Sequence, residues 1–132
     1  MSAMNPLVQN VGRAACEMPY LLQRLGDPDG IAPLTEEQHQ IADAIETHAY
    51  NATEAILNGL EAIGAVMSAA ARSADGIDQR NVADLSDLVK HLAVEMQHLH
   101  DVESNMGALK RLSSIAEKNT APAPRRRAAV RA

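Results

Sequence analysis

The apolar residues of the chain recur at steps of three and four over two long segments, which is the period of an amphipathic helix. The first segment begins at a capping box, residues 35–38 (TEEQ), and continues to about residue 72 without a proline. At 1.5 Å per residue the predicted helix is about 55 Å long, so it needs a long partner. Its apolar residues include Ile41, Ile45, Ile56, Leu60, Ile63 and Met67.

The second segment follows a predicted turn at residues 73–76, and Asp78 is placed to cap it. Its helix is expected over residues 79–118, with apolar positions at Val82, Leu85, Val89, Leu92, Met96 and Leu99. A strict repeat of seven would then bring Glu103 and Lys110 into the seam, so we expect the seam to shift there. Two helices of equal length with a short link predict an antiparallel hairpin.

The sequence patterns at the two ends of the chain differ from those of the hairpin. Residues 1–30 predict a short helix that starts at Asn5-Pro6 and is interrupted at Pro19, followed by a turn at residues 26–30. Residues 31–118 are the hairpin, with helices at about 36–72 and 79–118. Residues 119–132 are rich in Ala, Pro and Arg and are predicted to be disordered. The predicted fold class is therefore all-α: a long antiparallel hairpin after a short N-terminal helix.

The apolar stripes of this hairpin are wider than one partner helix covers. Either the N-terminal helix completes a three-helix bundle, or two hairpins dimerise into a four-helix bundle. We favour a homodimer, because a helix of about 13 residues covers only part of a 55 Å hairpin. The predicted self-association seam is Ile56, Leu60, Ile63, Met67, Leu85, Val89, Leu92, Met96 and Leu99. Gly59 and Gly64 lie within the first long helix, either as tolerated residues or as a close helix crossing.

Composition agrees with a thin helical core. In 132 residues there is no Phe or Trp, and the aromatic fraction is 2%, which excludes an aromatic-cored barrel or a β-sandwich. The length allows one domain. The single cysteine, Cys16, and the lack of a signal sequence or a long apolar run predict a cytoplasmic protein without a membrane span.

Charge is distributed unevenly along the chain. The net charge is −5, yet residues 121–132 contain four arginines and no acid. No Lys or Arg occurs in the 47 positions between Arg24 and Arg72. The acids of such a stretch usually form a solvated face, but the absence of basic residues also fits a docking face for a protein partner with a basic surface, or a mimic of nucleic-acid charge. An acidic body does not favour specific nucleic acid binding. The candidate partner-binding residues are Glu36, Glu37, Asp43, Glu46, Glu54 and Glu61.

One pattern suggests metal chemistry. His91, Glu95 and His98 share one side of the second helix, and Glu-x-x-His, typical of di-metal helical bundles, occurs at residues 95–98 and 36–39. Against a metal site, His91 and His98 fall on the predicted solvent side and lie about 10 Å apart along the axis. We therefore predict no metal or other cofactor. A cluster of His98, His100, Asp101 and Glu103 has no accompanying nucleophile or phosphate loop, so we predict no enzymatic activity.

These features favour a non-enzymatic helical interaction or regulatory protein that self-associates and binds a partner through its acidic helix face. In shape and composition the chain is similar to bacterial secretion chaperones and to inhibitors encoded by phages or mobile elements, although no motif is diagnostic of a family. The alternatives are a metal-binding, ferritin-like bundle and an amphipathic protein that coats hydrophobic granules.

Overall fold

A computed structural model of the protein describes residues 7, 14–28, 32–73 and 76–120. It contains three helices, α1 (Ala14–Leu25), α2 (Glu36–Ala71) and α3 (Gln79–Thr120), and the described residues include no strand. The predicted all-α class is confirmed, and α2 and α3 end within two residues of their predicted bounds. The predicted disordered tail lies outside the described residues from residue 121 onward, as does most of the predicted helix before residue 14.

Local signals in the sequence set the ends of the hairpin helices. Thr35 Oγ1 accepts a hydrogen bond from the Gln38 backbone N–H, and Gln38 Oε1 accepts one from the Thr35 N–H, which completes the predicted capping box. At the start of α3, the Asp78 carboxylate accepts the Arg80 N–H at 3.3 Å. Between the helices Gly76 adopts a φ of 64°, a left-handed conformation that glycine takes without strain.

The prediction that Pro19 interrupts the first helix is wrong. Helix α1 runs through Pro19, from Ala14 to Leu25. The fixed φ of proline is compatible with a helix, so its costs are one missing N–H donor and the steric clash of its ring with the carbonyl one turn earlier. Pro19 lies on the exposed side of α1, where water can satisfy the carbonyl left without that donor.

The core lies at the open end of the hairpin, which we call the base: α1 packed on residues 36–52 of α2 and residues 99–120 of α3. α1 is antiparallel to α2, since Glu17 lies beside His48 and Arg24 beside Glu37. The three helices bury a cluster that includes Met18, Leu21, Leu25, Ile41, Ile45, Ala49, Leu99, Val102 and Met106. The base is thus a three-helix bundle within one chain.

The rest of the hairpin, which we call the tip, consists of residues 56–71 of α2, residues 76–96 of α3 and the turn between them. Here only two helices are in contact. None of the described residues from 50 to 98 is fully buried, although the apolar period continues throughout.

Candidate functional site

The acids of α2 form a stripe on the side opposite the core. Glu36, Asp43, Glu54 and Glu61 follow one another at spacings of 7, 11 and 7 residues, each close to a whole number of helical turns. They therefore lie along one line of the helix, about 37 Å long. Ile45 precedes Glu54 by nine residues, or two and a half turns, so it faces the other way and is fully buried. We call these four residues the acidic stripe.

Lys110 of α3 binds two of the candidate acids. Its Nζ lies 2.7 Å from Asp43 Oδ1 and also contacts Glu46 Oε2. Partial burial of the ammonium acts to lower the Lys110 pKa, but the hydrogen bonds and the charges of Asp43 and Glu46 outweigh it and raise that pKa above its ordinary value. This network joins α2 to α3, so Asp43 and Glu46 have a structural role at the base.

The remaining candidate acids differ in whether they already have a hydrogen-bond or ion-pair partner. Glu37 Oε1 pairs with Arg24 of α1 at 2.6 Å, an exposed ion pair that raises the Arg24 pKa through its hydrogen bond. Glu36 accepts a hydrogen bond from Gln40. Glu54 and Glu61 are exposed and form no ion pair with any residue that the structure describes. Glu54 and Glu61 are therefore the members of the stripe best placed to meet a cation from outside.

A second surface is the apolar side of the tip. An open groove of about 400 Å³ lies between α2 and α3, and Val66, Met67, Ala70, Leu85 and Leu88 are among its lining residues. Two smaller depressions adjoin it, and both include Met67 and Leu85. Most side chains on this surface are aliphatic. Because only two helices meet here, much of their surface stays in contact with solvent.

The nine residues of the predicted self-association seam follow this division. Leu99 is buried at the base, where it packs beneath α1 and α2. Val89 is exposed. The other seven are partly buried along the contact between α2 and α3: Ile56, Leu60, Ile63, Met67, Leu85, Leu92 and Met96. The seam thus holds the hairpin together, and its flanks at the tip stay uncovered.

His48 connects α2 with the N-terminal part of the chain. The ring is fully buried, with Nε2 3.3 Å from the Leu7 carbonyl oxygen and 3.4 Å from Glu17 Oε2. Both neighbours are acceptors, so Nε2 carries a proton. Nδ1 has no hydrogen-bond partner among the described residues. His48 is therefore a polar contact that fixes α1 on α2.

The residues of the two Glu-x-x-His motifs lie apart. His91, Glu95 and His98 are all exposed on α3. His39 Nε2 lies 3.2 Å from the Oγ of buried Ser113, and this Oγ also accepts the Leu34 N–H at 2.9 Å. In the described part of the chain, no three His, Cys, Asp or Glu side chains come together as metal ligands would.

One polar depression lies at the base, near the cluster that the sequence suggested around His100 and Glu103. It has a volume of about 260 Å³ and is open to solvent, with Glu46 and Arg111 also in its wall. Glu46 is held by Lys110. Within the described residues, His100 forms no hydrogen bond with Glu103 or Glu46, so the depression lacks an aligned acid–base pair.

The roles of Lys110 and His48 were not predicted from the sequence. Lys110 had a signal: a strict repeat of seven places a charge in the seam, and a lysine there needs an acid nearby. Its partners come from another helix, 64 and 67 positions away. His48 falls between the apolar residues Ile45 and Ala49, yet its partners Glu17 and Leu7 are not suggested by any spacing.

Comparison of the chain with models of protein families, with curated proteins and with solved structures found no match. None of the helices in the described residues combines the length and the apolar character needed to cross a bilayer.

Proposed function

We propose that the protein is a non-enzymatic interaction protein that binds a partner with a basic surface through α2 and self-associates through the tip of its hairpin. A chaperone-like adaptor or an inhibitor encoded by a phage or mobile element has this kind of architecture, and we place the protein in the cytoplasm. The observation that carries the proposal is the acidic stripe, which presents Glu54 and Glu61 to solvent without counterions among the described residues.

Charge supports this role for the stripe. Surface helices usually mix acids with Lys or Arg four residues away, and such pairs neutralise each other. α2 contains no Lys or Arg over its 36 residues. Two cations pair with its acids, Arg24 from α1 and Lys110 from α3, and both bind near its N-terminal end. At the other end, the C-cap residue Arg72 donates a hydrogen bond to the Ser68 carbonyl and leaves Glu54 and Glu61 unpaired. The half of α2 beyond Tyr50 therefore carries a local negative potential that steers a basic partner towards it.

The experiment measures binding of a labelled peptide rich in Lys and Ala by fluorescence anisotropy at low and at physiological salt. Replacing both Glu54 and Glu61 by Gln removes two exposed charges from the stripe. We expect affinity at low salt to fall about fivefold, since each exposed ion pair contributes about 0.5 kcal/mol, and the difference to shrink as salt screens the charges.

The matched control is the double variant Glu95→Gln and Asp101→Asn, whose carboxylates form no ion pair with any described residue. It changes the net charge by the same amount, but both residues are exposed on α3. If this variant weakens peptide binding as much as the stripe variant does, attraction depends only on net charge and the acidic stripe is not the binding face.

A further inference from the structure

The surface that α1 covers at the base continues along the helices to the tip, where α1 no longer covers it. We call it the tip face: Ala62, Val66 and Ala70 of α2 with Leu85 and Leu88 of α3, and Ile77 from the turn. Val66 is 69% exposed and Leu88 42% exposed, the pattern of a packing surface without its partner.

Helix geometry places Val66 on the same side of α2 as α1. Val66 follows His48 by 18 residues, or five whole turns at 3.6 residues per turn, so the two side chains leave the helix in the same direction. The His48 ring faces α1, since its Nε2 lies beside Glu17. The face buried by α1 at the base is therefore the face that is open at the tip.

α1 does not extend far enough towards the tip to cover the tip face. Glu17 lies beside His48, and Ala14, the first residue of α1, is only three residues, about 5 Å, further towards the tip. Val66 is about 27 Å beyond His48 along α2. A gap of about 20 Å thus separates the described end of α1 from the middle of the tip face.

We propose that the tip face is covered by the tip face of a second copy of this chain, an inference that rests on the self-association in the proposed function. The two hairpins overlap by their tips in opposite directions around a two-fold axis near Val66 and Leu85. The overlap makes a four-helix layer at the centre, and each base with its α1 lies at an outer end.

Area and shape both fit a second copy. The tip is about 24 Å long and two helices, about 20 Å, wide, so it offers about 500 Å² from each copy and about 1,000 Å² in total, near the lower limit for a specific dimer. A two-fold interface requires one surface to be complementary to itself. Val66 projects beside the groove that it helps to line, so each copy offers both a ridge and a groove.

Charge favours a second copy over the basic partner at this face. Among the described residues that line the main groove, Asp84 alone is charged, and the acidic stripe lies on another side of α2. A strongly basic protein therefore finds a single carboxylate to pair with here, while the aliphatic side chains of the groove lose little solvation when they meet a second copy.

The test is sedimentation velocity of the full chain over a range of concentrations, comparing Val66→Glu with Val94→Glu. Val94 is 70% exposed, nearly the same as Val66, and follows Leu85 by nine residues, so it lies on the opposite side of α3. Both variants add the same charge at an exposed helical valine, and both are expected to fold, as circular dichroism will check. Leu88→Glu probes the tip face independently from the other helix.

We expect the wild type to dimerise reversibly, Val66→Glu and Leu88→Glu to raise the dissociation constant at least about 100-fold, and Val94→Glu to leave it unchanged, because a carboxylate buried in an apolar interface is strongly unfavourable. If Val66→Glu and Leu88→Glu leave the dissociation constant of the dimer unchanged, the proposed interface is wrong, while self-association stands. Equal weakening by Val94→Glu also overturns the proposed interface. A wild type that stays monomeric overturns both this inference and the self-association in the proposed function.

Discussion

The base and the tip of the hairpin are built from the same two helices with the same apolar period, yet only the base has a buried core. At the base, α1 adds a third layer and Ile41, Ile45, Leu99 and Val102 are removed from solvent. At the tip, Ile63, Met67 and Leu85 are only partly buried, in the contact between two helices. An amphipathic pattern therefore identifies which residues face a partner, whereas the number of packed helices decides how deeply these residues are buried.

The largest contrast is expected from truncating one isoleucine in each region. Ile45→Ala should lower the free energy of unfolding by about 3–4 kcal/mol, because Ile45 is fully buried and its loss leaves a cavity. Ile63→Ala should cost about 1–2 kcal/mol, since its side chain is already partly solvated. Urea unfolding followed by circular dichroism at low protein concentration measures both. Equal losses would show that the tip is as well packed as the base.

A smaller contrast is expected between two lysines of α3. Lys110→Met should destabilise the protein by about 1 kcal/mol, because Asp43 and Glu46 lose their shared cation at the base. Lys90→Met should have almost no effect, since its pair with Asp87 at the tip is fully solvated. Thermal unfolding near neutral pH compares them, and a loss of stability in Lys90→Met as large as in Lys110→Met would contradict the distinction.

The same network predicts a response to alkali. The folded-state pKa of Lys110 is raised, so its contribution is fully present below the ordinary lysine value of 10.5 and is lost as the pH rises through the folded value. We therefore expect the stability difference between wild type and Lys110→Met to shrink above about pH 10.5. A difference that stays constant to higher pH would exclude the ionised Lys110 as its source.

The smallest effects concern two glycines of the tip. A Cβ at Gly64 meets nothing within 4 Å, so Gly64→Ala should stabilise the protein by about 0.5–1 kcal/mol through better helix propensity. Gly76→Ala should destabilise it by about 1 kcal/mol, since alanine is strained at a φ of 64°. Chemical denaturation measures both. A loss of stability in Gly64→Ala would instead indicate a close helix crossing at this residue.

The sequence predicted the hairpin well because its signals are local. The capping box at residues 35–38, the cap at Asp78 and the steps of three and four are all visible within a few positions of the chain. The run of α1 through Pro19 was missed, because a proline removes one hydrogen bond whose cost depends on the solvent around it.

The candidate surfaces were only partly predictable. The acids of α2 were recognised as one group, but their division into paired and unpaired residues depends on Arg24 and Lys110 from other helices. Likewise, the seam residues were predicted to contact a second copy; seven of them lie partly buried between α2 and α3 of one chain, and the extent of their exposure depends on where α1 ends. Contacts between residues far apart in the sequence leave no local pattern, and these contacts separate the base from the tip.

The position of the core at the open end of the hairpin also bears on how the chain folds. Met67 and Leu85, 18 positions apart, line the same groove near the turn, whereas the hydrogen bond from Leu34 to Ser113 spans 79 positions. Closing the longer loop costs about 1.3 kcal/mol more in chain entropy. The contacts near the turn are thus the quickest to form, but they bury the least apolar surface. A hairpin that closes from its turn becomes stable only once the contacts at the base have formed. We therefore expect a late transition state, in which the base of the hairpin is already joined.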